Sequence, residues 1–118
     1  MKDDSFKEFI LDQLRRLDRV EARPMFGGHG LYQGEVFFGI IFKGRLYFKT
    51  DSTTVSSYIK MGMKPFRPNA KQILRSYYEV PVEILEDHDR LAVWAQKAIH
   101  SQLKTRSSTG SKQSTHSD

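Results

Sequence analysis

A chain of 118 residues has room for one domain with one core, and not for two. Its 38% hydrophobic and 12% aromatic residues can bury enough surface to oppose chain entropy without metals or disulfides. The absence of cysteine excludes a disulfide framework, a thiol nucleophile and cysteine-ligated zinc, and it points to a reducing compartment.

The start, "MKDDSFKEFI", carries acids where a secretion signal needs a basic start and an apolar run. No apolar window approaches the roughly 20 residues of a membrane span. A cytoplasmic protein with no membrane partner is the expectation. The formal net charge of +5 is unevenly placed. Between Lys43 and Arg75 eight Lys or Arg face one acid, Asp51, whereas Glu79 to Asp89 holds five acids and no Lys or Arg. Such a basic segment suits nucleic acid, an acidic protein partner or a plain solvated surface.

In chain order, Phe6, Phe9, Ile10, Leu14 and Leu17 recur at helical spacing and predict a helix over 6–19. Ser5 and Glu8 have the spacing of a capping box at its start. Aromatic and β-branched residues then predict a three-strand meander over 22–32, 35–42 and 45–50. Its breaks fall at Gln33-Gly34 and Lys43-Gly44, with glycine second in each turn.

"TDSTTVSSYIKMG" reads as a short helix, with Asp51 or Ser52 as its cap and Gly62 placed to end it. "MKPFRP" is held extended by Pro65 and Pro68 and suits an edge strand or its lead-in. "QILRSYYEVP" is a further strand that ends at Pro81. One of Tyr77 and Tyr78 is expected to pack inward and the other to face an interface.

A final helix follows, with Asp87 as cap and a stripe of Leu91, Trp94, Ala95, Ala98 and Ile99. After Lys104 the chain is polar and lacks large apolar residues, which predicts a domain over 1–104 and a disordered tail over 105–118. The fold class is α+β: two layers, an antiparallel β-sheet packed by helices, in the order α-β-β-β-α-β-β-α.

"RPMFGGHGLY" at 23–32 sets three glycines around His29. A phosphate cradle requires such glycines to follow a strand and feed a helix; here they feed strand residues. A catalytic His29 requires a nucleophile, carboxylate or metal co-ligands converging on it. The four histidines (29, 88, 100 and 116) are scattered, and no spacing supplies such a set. The favoured reading is scaffolding: a bulge or sharp bend for which Gly27, Gly28 and Gly30 provide the backbone freedom. Gly44, Gly62 and Pro81 join them as structural positions.

The candidate binding residues are the basic ribbon Lys43, Arg45, Lys49, Lys64, Arg67 and Arg75. Tyr47, Phe48, Tyr58 and Phe66 lie between them, the mixture used by single-strand nucleic-acid binders. Tyr47 and Phe48 are adjacent on a strand, so at least one of the two must be core.

Six blocks together, "RPMFGGHGLY", "FFGII", "LYFKTD", "YIKMGMKPF", "YYEVPVEILED" and "LAVWAQKAI", resemble the TfoX N-terminal domain, named for the TfoX/Sxy regulators of natural competence. The resemblance covers about residues 5–103. It implies a secretion-chaperone-like α-β3-α-β2-α fold and a role in transcription regulation. The implied partner is a protein, such as a transcription factor, or a second copy of the chain. It brings no catalytic residues, metal or cofactor, and so implies a non-enzymatic interaction domain. The competence regulators carry a second, carboxy-terminal domain where this sequence has its polar tail. Direct nucleic-acid binding through 43–75 is the alternative, and an enzyme using His29 is a third.

Overall fold

The computed structural model describes residues 2–116, with side chains over 4–105. A helix α1 (Lys2–Gln13) leads into a meander of β1 (Val20–Met25), β2 (Gly28–Gln33), β3 (Val36–Phe42) and β4 (Arg45–Lys49). Helix α2 (Val55–Lys60) carries the chain across to β5 (Pro65–Asn69), and β6 (Gln72–Glu79) returns between β5 and β4. Helices α3 (Val82–Leu85) and α4 (His88–His116) complete the order. The six strands form one antiparallel sheet in the order β1-β2-β3-β4-β6-β5, which makes the fold α+β as expected.

Several expected elements differ in detail. α1 starts at Lys2, so Ser5 lies inside the helix and cannot form the expected capping box. The helix also stops at Gln13. Tighter turns follow, with Arg15 N donating to Asp12 O and Leu17 N to Leu14 O, and Arg19 takes φ 58° before β1. Leaving the helix early keeps Leu14 and Leu17 in the core, while Phe9 stays largely exposed.

The single strand expected over 22–32 is two strands. The chain reverses at Phe26-Gly27, with Gly27 at φ 81° and Met25 opposite Gly28. Strand-like composition continues through the reversal, so only the glycine marks it. At the next hairpin Gly34 is the first turn residue, not the second, whereas Lys43 and Gly44 both take positive φ, the twist-matched geometry of a two-residue hairpin. Pro81 not only ends a strand but opens α3, which the sequence reading omitted. The expected tail over 105–118 falls, from residue 106 on, outside the residues whose side chains are described; α4 runs to His116.

The sheet has a core on each face. On the helix side Ile10, Leu14, Phe38, Phe48, Ile84, Leu91 and Ala95 are fully buried, each large side chain contributing about 1.5–3 kcal/mol. On the other face Ile40, Tyr47, Phe66 and Tyr77 are also buried, with Phe37 and Phe42 against them, although no helix residue joins that cluster among the described residues. β6 separates β5 from β4, yet the Phe66 ring lies 4.6 Å from Tyr47 and 5.3 Å from Phe42. The β5 edge therefore curls over the face and covers its own rings. Register shifts on both sides of Phe66 permit the curl. Tyr77 and Tyr78 both pack, one on each face, so neither is the exposed interface tyrosine that was expected.

Candidate functional site

The six ribbon cations do not share one environment. On β4, Leu46 and Phe48 point to the helix-side core, which sends Arg45, Tyr47 and Lys49 to the opposite face. Arg45 Nη1 donates to both carboxylate oxygens of Glu79, at 3.1 and 2.9 Å, across the register pair Tyr47–Glu79. Lys49 sits 5.6 Å above the Tyr77 ring. Lys43, at the β3–β4 turn, lies 5.4 Å from the Phe42 ring.

The remaining three belong to the edge hairpin. Lys64 immediately precedes β5, Arg67 lies within it, and Arg75 is on β6; all three are exposed. Arg67 donates to the Ala70 carbonyl at the hairpin turn. None of the three has an acidic partner among the described residues. Lys71, also exposed, adds a further charge at the turn. Pro65 and Pro68 remove two amide donors from the edge, which hinders strand addition there. Of the rings interleaved with the ribbon, Tyr47, Phe48, Tyr58 and Phe66 are all at most 8% exposed.

The glycine corner is a tight hairpin bound closely to the sheet. A Cβ on Gly28 would lie 2.2 Å from the Ile41 carbonyl oxygen, so β2 and β3 approach there as only glycine allows. A Cβ on Gly30 would meet Met25, Phe37 and Tyr32 at 3.0–3.1 Å, and that space holds the rings of the second face. Arg23, paired in register with Gly30, places its guanidinium 4.2 Å over Tyr32 and donates to the Gly34 carbonyl. His29 sits between Pro24 and Ile41 in the sheet register, and its Nδ1 is buried without a hydrogen-bond partner. A shallow hollow beside it is lined by Asp4, Met25 and Phe26, the last 60% exposed at the hairpin tip. No three His, Asp or Glu residues group as a metal site among the described residues.

The sequence profile of the TfoX N-terminal domain matches residues 12–102, more than half of the chain. The chain belongs to the TfoX N-terminal domain family. None of the curated proteins matches it. No helix among the described residues is long and apolar enough to cross a membrane.

Within this TfoX N-terminal domain the most interconnected polar group is one to which the sequence reading gave only a capping role. Asp51 Oδ1 accepts from Thr53 N (2.7 Å), Thr53 Oγ1 (2.6 Å) and Thr54 N (3.2 Å). Its Oδ2 accepts from Ser101 Oγ at 2.7 Å and lies 3.4 Å from Lys104 Nζ. Burial opposes the charge, but the hydrogen bonds from Thr53, Ser101 and Lys104 outweigh it and hold the carboxyl well below its ordinary range. The carboxylate thus ties the start of α2 to α4. The "TDSTT" run announces the local turn, whereas Ser101, fifty residues away, gives no local signal.

Proposed function

We propose that this TfoX N-terminal domain is a small cytoplasmic regulatory module that binds a protein partner and performs no chemistry. The contact surface is the basic β5–β6 hairpin with Lys64, Arg67 and Arg75, and it suits an acidic protein surface. The observation that supports this reading over single-strand nucleic-acid binding is the burial of all four interleaved rings. They are packed into the two cores and so offer no base a stacking platform. Because the edge prolines hinder strand addition, recognition falls to side-chain charge, which favours fast, salt-sensitive association. A role in competence or in transcription regulation is the family-based extension of this proposal.

The test is capture from native lysate, with and without nuclease, by the wild type and by the double variant Lys64→Glu/Arg67→Glu. Both side chains are exposed, so the variant is expected to fold normally, checked by circular dichroism. The expected result is nuclease-resistant capture that the variant loses. Equal capture by a folded double variant would refute the surface. Nuclease-sensitive capture, with affinity falling log-linearly in salt, would replace the proposal with nucleic-acid binding.

A further inference from the structure

The sheet order leaves β1 and β5 each paired on one side only. Pro65 and Pro68 guard the β5 edge, whereas β1, "VEARPM", has a single proline near its end. We propose that β1 is a self-association edge: two copies of the chain pair antiparallel through β1, about a dyad at Ala22, and join their sheets into one. The edge lies at the opposite end of the sheet from the basic β5–β6 hairpin and makes no use of it.

Hydrogen-bond direction opens that edge. Arg19 O accepts from Gly34 N at 3.3 Å, and Met25 and Gly28 close the two-residue turn at the other end of the hairpin. Bonding alternates along an antiparallel pair, so Arg19, Glu21, Arg23 and Met25 direct their main-chain groups to β2. Val20, Ala22 and Pro24 direct theirs to the free side, where no other described residue hydrogen-bonds to them. The side chains of Val20 and Ala22 pack on the helix-side core, which puts Glu21 and Arg23 on the other face with Tyr32.

Charge selects the partner and the register. A symmetric pair must be centred on a residue, because centring between residues sets outward-facing groups against inward-facing ones. Centred on Ala22, Glu21 of each copy stands opposite Arg23 of the other on one face of the joined sheet. Moving the centre to residue 21 or 23 instead opposes Glu21 to Glu21 or Arg23 to Arg23, and like charges directly opposite are destabilising. Within one copy Glu21 already lies 3.6 Å from Arg23 Nε, so the four side chains form an alternating quartet. Arg23 is preset for it by the Tyr32 ring at 4.2 Å and by its bond to the Gly34 carbonyl. The main chain supplies reciprocal bonds between the two Ala22 residues and one from each Val20 N–H to the Pro24 carbonyl of the second copy. Pro24 has no N–H to return, so the pairing ends there. A contact this short falls below the roughly 1,200 Å² of stable interfaces, and the dimer is accordingly weak, with Kd on the order of 100 µM.

Sedimentation velocity of the full chain, at concentrations well below and well above that Kd, should show reversible monomer–dimer exchange. Glu21 is exposed, so Glu21→Arg should keep its Tm while weakening self-association at least about tenfold, since both cross-strand pairs become repulsive. Arg23→Glu should do the same, and an equimolar mixture of the two variants should dimerise, because each then supplies the charge the other lacks. The chain has no cysteine of its own, so a single introduced thiol reads the register. Ala22→Cys should form a disulfide-linked dimer on mild oxidation, its Cα atoms being about 5.5 Å apart across the dyad. Val20→Cys, opposite Pro24, should not. A monomer at every concentration, undiminished association of folded Glu21→Arg, no association in the mixture, or linkage of Val20→Cys as fast as that of Ala22→Cys would each overturn the proposal.

Discussion

Replacing Gly28 by alanine tests a close backbone approach between β2 and β3. Gly28 does not need positive φ, so alanine incurs no conformational strain and the whole effect is steric. The added methyl would sit 2.2 Å from the Ile41 carbonyl oxygen and 3.3 Å from Phe42 Cα, both of them backbone atoms that no rotamer change can move. Relief requires β2 and β3 to separate at the register pair Gly28–Phe42. Overpacking costs about 1–3 kcal/mol, and each ladder hydrogen bond lost about 1 kcal/mol more, giving roughly 3 kcal/mol. For a domain of about this size that lowers Tm by about 10–20 °C. Gly44→Ala is the control. Gly44 has φ 73° and nothing within 4 Å of its would-be Cβ, so its cost is left-handed strain alone, about 1–2 kcal/mol. Urea unfolding followed by Trp94 fluorescence measures both. If Gly28→Ala proves no less stable than Gly44→Ala, the close approach of β2 to β3 is refuted.

Phe66→Ala should cost about 3–5 kcal/mol by opening the ring cluster that β5 closes over the sheet; a loss under 1 kcal/mol would mean the edge does not curl onto the face. Asp51→Asn should cost about 2 kcal/mol at neutral pH by weakening charge-assisted bonds to Ser101 and Thr53. The folded-state pKa of Asp51 lies below its unfolded value, so its contribution is full above about pH 4 and is lost as pH falls through the folded value. Wild-type stability should therefore drop more steeply than that of Asp51→Asn in acid titrations of Tm, and parallel curves would refute the assignment. Arg45→Ala should cost about 1 kcal/mol or less, because the Arg45 side of its bridge to Glu79 is solvent-exposed, and it should leave partner capture intact where Arg75→Glu weakens it.

Periodicity carried most of the fold. The apolar stripe of α4, the cap at Asp87 and the proline-marked edge at β5 were legible because each depends on residues within a few positions. The reversal at Phe26-Gly27 was not, since β-like composition runs unbroken through it and one glycine can make a bulge or a hairpin equally well. The early end of α1 escaped for a related reason. Leu14 and Leu17 keep helical spacing, but a tighter turn at the same positions buries them as well. The second core was hidden because burial there comes from a distant strand curling over the sheet, which no local window records.

The candidate site was legible as composition and illegible as commitment. Counting charges between Lys43 and Arg75 treats every cation as available to a partner, yet Arg45 is held by Glu79 and Lys49 lies over Tyr77. A charge with an intramolecular counterion must give it up before it can serve a partner, so its net contribution to binding falls even though its formal charge does not. The same reasoning applies to the rings between them, whose composition suits a stacking surface but which are all core, Tyr47 and Phe48 alike. On the proposed reading, recognition is therefore concentrated at Lys64, Arg67 and Arg75 of the β5–β6 hairpin, which are exposed and form no ion pair among the described residues.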